Sequence, residues 1–151
     1  MRVAIIGLLC LGLGTAAGQD KEKPEERYKI KANLEAFPQD KPDKALKSVL
    51  KAIAAKKIDY LLAQLADPKW VDGRVRLYDG NFDALVKETT DHLGDDPTLV
   101  KLLKQLAKDG KWSVEDKTAS VFLEKNKDKG AFFRKVGDRW FLENRQTKKK
   151  V

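Results

Sequence analysis

A single cysteine, Cys10, and a single histidine, His92, leave most site chemistry without its usual ligands. No two thiols can pair, so no disulfide can staple the chain. A zinc site would need three carboxylates beside one imidazole, which is poor zinc chemistry. Cys10 follows Leu9 inside an apolar leader and lies too early for a lipoprotein acceptor. With the leader removed, no thiolate remains to attack a substrate. Long hydrophobic runs are missing too. The longest, Val3 to Leu13, is interrupted by glycines and falls short of the ~20 residues that cross a bilayer.

That leader reads as an export signal. Met1-Arg2 gives a positive start, the apolar run follows, and Thr15-Ala16-Ala17-Gly18 supplies small residues for cleavage after Ala17 or Gly18. The expected location is periplasmic or extracellular. Gly12, Gly14 and Gly18 lack the spacing and the strand–helix context of a dinucleotide loop. Residues 1–18 are thus a signal peptide and 19–39 a flexible leader. A single α+β domain fills 40–146, and 147–151 form a basic tail. Gln19 to Arg27 (QDKEKPEER) has little to bury. Tyr28, Ile30, Leu34 and Phe37 alternate weakly. The formal charge of +8 on 151 residues biases the chain toward acidic partners such as an anionic envelope polymer, through Lys148 to Lys150 above all. Export removes nucleic acid from the expected partners.

Helical periodicity opens the domain. Asp40 to Lys57 is expected to be a helix capped by Asp40, with Leu46, Val49, Leu50 and Ile53 as its stripe. Asp59 to Ala66 continues as a second short helix, which Asp67-Pro68 stops. Lys69 to Tyr78 (KWVDGRVRLY) alternates around Asp72-Gly73 and is expected to be extended. Asn81 caps a helix from Phe82 to Leu93 that Gly94 ends. Asp96 and Pro97 open the next, with Leu99, Leu102, Leu103 and Leu106 on one side and Gly110 as its stop.

The period then changes to two. Trp112 and Val114 alternate, as do Ala119, Val121 and Leu123. Asn126 to Gly130 reads as a polar turn. Gly137-Asp138 is a glycine-first hairpin link. It sets Val136 opposite Arg139, Lys135 opposite Trp140, Arg134 opposite Phe141 and Phe133 opposite Leu142. One face then carries Ala131, Phe133, Trp140 and Leu142 toward the helices. The other carries Phe122, Phe132, Val136 and Phe141 among Arg134, Arg139 and Glu143.

Two segments resemble the nuclear transport factor 2-like superfamily. Ala45 to Asp67 (ALKSVLKAIAAKKIDYLLAQLAD) looks like its opening helices, and Lys135 to Asn144 (KVGDRWFLEN) like its final hairpin. Small exported bacterial proteins of unassigned function on that cone are similar. The resemblance implies a cystatin-like cone: N-terminal helices packed on a curved C-terminal antiparallel sheet, with a cavity between. Some members of the superfamily, relatives of ketosteroid isomerase and scytalone dehydratase, do acid–base chemistry in that cavity with a buried Asp or His and Tyr donors.

Three functions follow as expectations. The first is an exported, non-enzymatic binding or interaction module for a small apolar ligand or protein partner, homodimeric through its sheet. The second is a cavity enzyme of isomerase or dehydratase type. The third is a polyanion-binding envelope protein. Phe132, Arg134 and Phe141 on the outer sheet face, and Trp70 and Tyr78 near the aspartates Asp67, Asp72 and Asp79, are the candidate binding residues. No catalytic residue, metal ligand or cofactor is assigned. His92 in DHLGDDP reads first as part of a helix end and a new cap.

Overall fold

The computed structural model describes residues 25–145. The expected signal peptide, Cys10 and the lysine tail lie outside the described residues. The fold is α+β: five helices precede a four-stranded antiparallel sheet. The helices are α1 (Pro42–Ala54), α2 (Ile58–Tyr60, continued by a π-helical turn, Leu61–Leu65), α3 (Pro68–Arg76), α4 (Phe82–Asp95) and α5 (Pro97–Asp109). A two-stranded hairpin, β1 (Glu26–Arg27) and β2 (Ile30–Lys31), comes before them. The sheet is a meander of β3 (Lys111–Val114), β4 (Thr118–Leu123), β5 (Asn126–Val136) and β6 (Arg139–Glu143).

Four local expectations change. Asp40 does not cap α1. Lys41 takes the capping position without a side-chain bond, and Asp40 instead receives a 2.7 Å bond from Lys44 one turn on. The short helix stops at Leu65, ahead of Asp67-Pro68 as expected, but the stretch that follows is helical rather than extended and opens on Pro68. Pro68 occupies the first turn of α3, while Asp67 accepts a bond from the Lys69 amide. The apolar residues that pack are Val71 and Val75, four apart, whereas Leu77 is 72% exposed, so the period is helical. Gly94 lies inside α4, which runs on to Asp95. Asn126 to Gly130 belongs to β5, and the turn tightens to Glu124-Lys125. The Asn81 and Asp96 caps form as expected, to the amides of Ala84 and Thr98.

The β5–β6 register is the expected one at all four pairs, from Val136–Arg139 to Phe133–Leu142. Gly137 makes it possible with φ +59°. Phe133, Ala131 and Trp140 are buried against Leu46, Val49, Leu65 and Leu106 of the helical layer. Gly130 marks a close approach on the outer face. A Cβ there would lie 2.5 Å from the Phe122 ring, which covers the bare backbone.

Within the expected leader, residues 25–39 pack on this body. Tyr28 and Lys29 form the two-residue link of the β1–β2 hairpin, both left-handed at φ 51° and 64°. Non-glycine residues adopt such angles at a cost of ~1–2 kcal/mol each. Tyr28 offsets it by stacking on Phe82, 4.2 Å between ring centres, and by donating to Asp72 at 2.6 Å. Arg27 pairs with Asp72 and donates to the Ala63 carbonyl. Gln39, fully buried, treats β6 as a neighbouring strand would. Its carbonyl accepts the Trp140 amide at 2.9 Å and its side-chain amide donates to the Trp140 carbonyl at 2.8 Å. Asp67 N–H binds the Leu142 carbonyl, so the β6 edge is covered.

Candidate functional site: an apolar cavity with a charged rim

The helices do not close over the sheet everywhere. Between α1, the π-helical turn, α3, α4 and α5 lies an open cavity of about 590 Å³. Its walls are Val49 and Ile53 from α1, Leu61 and Leu62 from the π-helical turn, and Leu85 and Leu93 from α4. Leu102 and Leu103 of α5 complete them, and Ala131 and Leu142 of the sheet form the floor. These residues are the stripes that make each helix amphipathic. The cavity is therefore the unfilled part of the core.

A charged group sits at its rim. Glu88 of α4 accepts from the Tyr78 hydroxyl, and Arg74 of α3 reaches its two oxygens at 3.2 and 3.3 Å. His92, one turn further along α4, lies 3.8 Å from the same carboxylate. The Tyr78 hydrogen bond, with Arg74, holds the Glu88 pKa below the usual glutamate range, and Glu88 in turn raises that of Tyr78. A general base for neutral pH needs the opposite displacement. Glu88 is a fixed carboxylate whose donors are already committed. The His92 side chain is 78% exposed. Across the mouth Arg145 pairs with Glu143 at 2.9 Å. Among the described residues no three His, Cys, Asp or Glu side chains converge to hold a metal.

The candidate binding residues fall into two places. Trp70 lines the cavity, and Tyr78 orders its rim through Glu88. Phe132, Arg134 and Phe141 lie on the far side of the sheet, where Arg134 and Phe141 are direct cross-strand neighbours. Phe141 is 2% exposed, with the Arg139 guanidinium 4.9 Å from its ring centre. Arg134 is paired to Asp67. Arg139 binds Gln39 Oε1 at 2.7 Å, Gln64 Oε1 at 2.9 Å and Glu25 at 3.1 Å. Phe132 is half-buried beneath Arg145 and makes an edge contact with Phe122. The basic residues of this face are engaged inside the molecule, and its aromatics form no open platform.

Sequence reasoning missed Arg74 and Glu88. An extended reading of Lys69 to Tyr78 hides that Arg74 and Tyr78 are four apart on one side of a helical turn. Glu88 and His92 share that spacing on α4. The fold and the cavity define a class, an α+β protein with an apolar recess between its layers. Comparison with protein-family models, with curated proteins and with solved structures finds no match to this chain.

Proposed function

We propose that this is an exported, non-enzymatic binding module whose cavity takes a small apolar ligand. The observation that carries the reading is the cavity itself, about 590 Å³ with aliphatic walls. Ligand sites commonly enclose ~300–1,000 Å³ with mostly apolar linings and a few polar groups at one end. The arrangement of the Glu88 rim favours binding over proton transfer. The signal-like leader supports export, and helices preceding a strand meander support the likeness to the nuclear transport factor 2-like superfamily.

Trp70 in the wall supplies the readout. Titration with straight-chain fatty acids of increasing length should change its fluorescence saturably, at one ligand per chain. Burying one methylene contributes about 0.8 kcal/mol, so each should tighten binding roughly fourfold until the cavity is full. Thr89→Trp, which fills the recess from α4, should abolish the response while the protein still unfolds cooperatively. A flat titration with every chain length and with a fluorescent apolar probe would sink the reading. Turnover of a ketone or hydroxy substrate that Glu88→Gln abolishes would favour the isomerase or dehydratase alternative. Binding to anionic polymer that collapses with salt would favour the polyanion reader.

A further inference from the structure

The sheet has two edges, and only one is covered. At β6 the backbone is capped by Gln39 and by the Asp67 amide. Strand β3 has β4 on one side and no neighbour on the other among the described residues. The Glu115 amide bonds the Thr118 carbonyl, and the ladder continues Ser113–Ser120 and Lys111–Phe122. Antiparallel ladders alternate, so residues 111, 113 and 115 spend their backbone groups on β4. The N–H and C=O groups of Trp112 and Val114 point out of the sheet. Val114 is also 54% exposed, on the same face as the half-buried Trp112.

We infer that the β3 edge is a self-association surface and that its occupant is a second copy of this chain, paired antiparallel about a two-fold axis at Ser113. The sequence Lys111-Trp112-Ser113-Val114-Glu115 is self-complementary in that register alone. Trp112 faces Val114 of the second copy, and Val114 faces its Trp112. The outward backbone groups then make four hydrogen bonds. Lys111 faces Glu115 of the second copy on the opposite face, twice by symmetry. A slip of two residues either way keeps the hydrogen-bond parity. It also breaks both charge pairs and sets Trp112 against itself or against Asp116. A lysine on an edge strand normally deters pairing. With Glu115 at the matching offset, Lys111 instead selects one register. The result joins two four-stranded sheets into one of eight, with both helical layers on the same side.

The register yields its own test. Ser113 faces its own copy in a non-hydrogen-bonded pair, where Cα atoms sit ~4.5 Å apart, within the span a disulfide bridges. In a Cys10→Ser background, Ser113→Cys should form a covalent dimer under mild oxidation, and Lys111→Cys should not. Lys111→Glu and Glu115→Lys should each be monomeric by sedimentation, since each sets like charges together twice. Mixed, they should restore a heterodimer. Val114→Pro removes an outward N–H without touching the β3–β4 ladder, so it should be monomeric with an unchanged circular dichroism spectrum. A wild-type chain that sediments as a monomer at every concentration overturns the inference. So does a Ser113→Cys chain that never cross-links, or a Val114→Pro chain that associates like wild type. The charge variants lie on the exposed edge, so their folding is not at stake.

Discussion

Arg139 shows what a single residue does here that the sequence hides. Its guanidinium is largely buried, which pulls its pKa down, with the Glu25 carboxylate opposing. It still carries charge at any working pH. Its fork reaches two buried glutamines at once, Gln39 from the N-terminal segment and Gln64 from the π-helical turn. Lysine cannot reproduce that planar fork. Arg139→Lys should therefore lower the unfolding free energy from urea titration nearly as far as Arg139→Ala, by about 2–4 kcal/mol in each case. A lysine variant as stable as wild type would show that charge alone suffices. The cross-strand place of Arg139 was legible, because Gly137-Asp138 fixes the register. Its partners were not, because they lie up to 114 residues away in the chain.

Tyr28 makes a second residue-scale prediction. Burial first, then the hydrogen bond to Asp72 and that carboxylate's charge, push its phenol up from 10.0 to about 12. A raised phenol pKa means that folding favours the neutral form. The associated stability is fully present below pH 10 and is lost as pH rises through about 12. Absorbance titration at the tyrosinate band should show a phenol titrating near pH 12, in addition to the raised Tyr78, and Tyr28→Phe should remove it. The same substitution should flatten part of the fall in urea midpoint above pH 10. A wild-type phenol titrating entirely near pH 10 would show that Asp72 does not hold it.

At the scale of elements, the helices divide by how they begin and end. The α4 and α5 starts were legible because Asn81 and Asp96 are short acceptors directly before apolar periods. The α1 start was misplaced by one residue. Lys41 sits in the extended geometry of a cap with no oxygen to offer. Lys41→Asp should raise stability by about 1 kcal/mol, seen as a higher melting temperature. Gly94→Ala inside α4 should add about 0.5–1 kcal/mol, since its added methyl meets nothing within 4 Å and the backbone is not left-handed there. If Gly94→Ala destabilises, the helix breaks at Gly94 as its sequence suggested. The α3 segment was illegible for a different reason. Val71, Val75 and Leu77 fit both periods until one knows that Leu77 faces solvent.

At the scale of the whole molecule, the helix-then-sheet order was readable from the change in period at Gly110. The cavity was not, since apolar stripes look the same whether they meet or leave a gap. Nor was the part the N-terminal segment plays, because its residues are polar and short of aliphatic side chains. Arg27, Tyr28 and Gln39 each bind a distant element, and Phe37 is buried against Tyr60 at 4.4 Å. Removing a solvated leader costs nothing, whereas removing this segment leaves buried groups without partners. The Gln64 amide loses the carbonyls of Glu25 and Ile30, Arg139 loses Gln39 and Glu25, and Trp140 loses both backbone bonds. Each buried polar group left unpaired costs about 1–3 kcal/mol, and several together approach the ~5–15 kcal/mol that a domain holds. A chain beginning at Asp40 should therefore lose its cooperative urea transition and bind a hydrophobic dye. The single variant Gln39→Ala should keep the transition at a lower midpoint. If the chain from Asp40 unfolds at the full-length midpoint, the polar ties from residues 25–39 are not what holds β6 and the π-helical turn together.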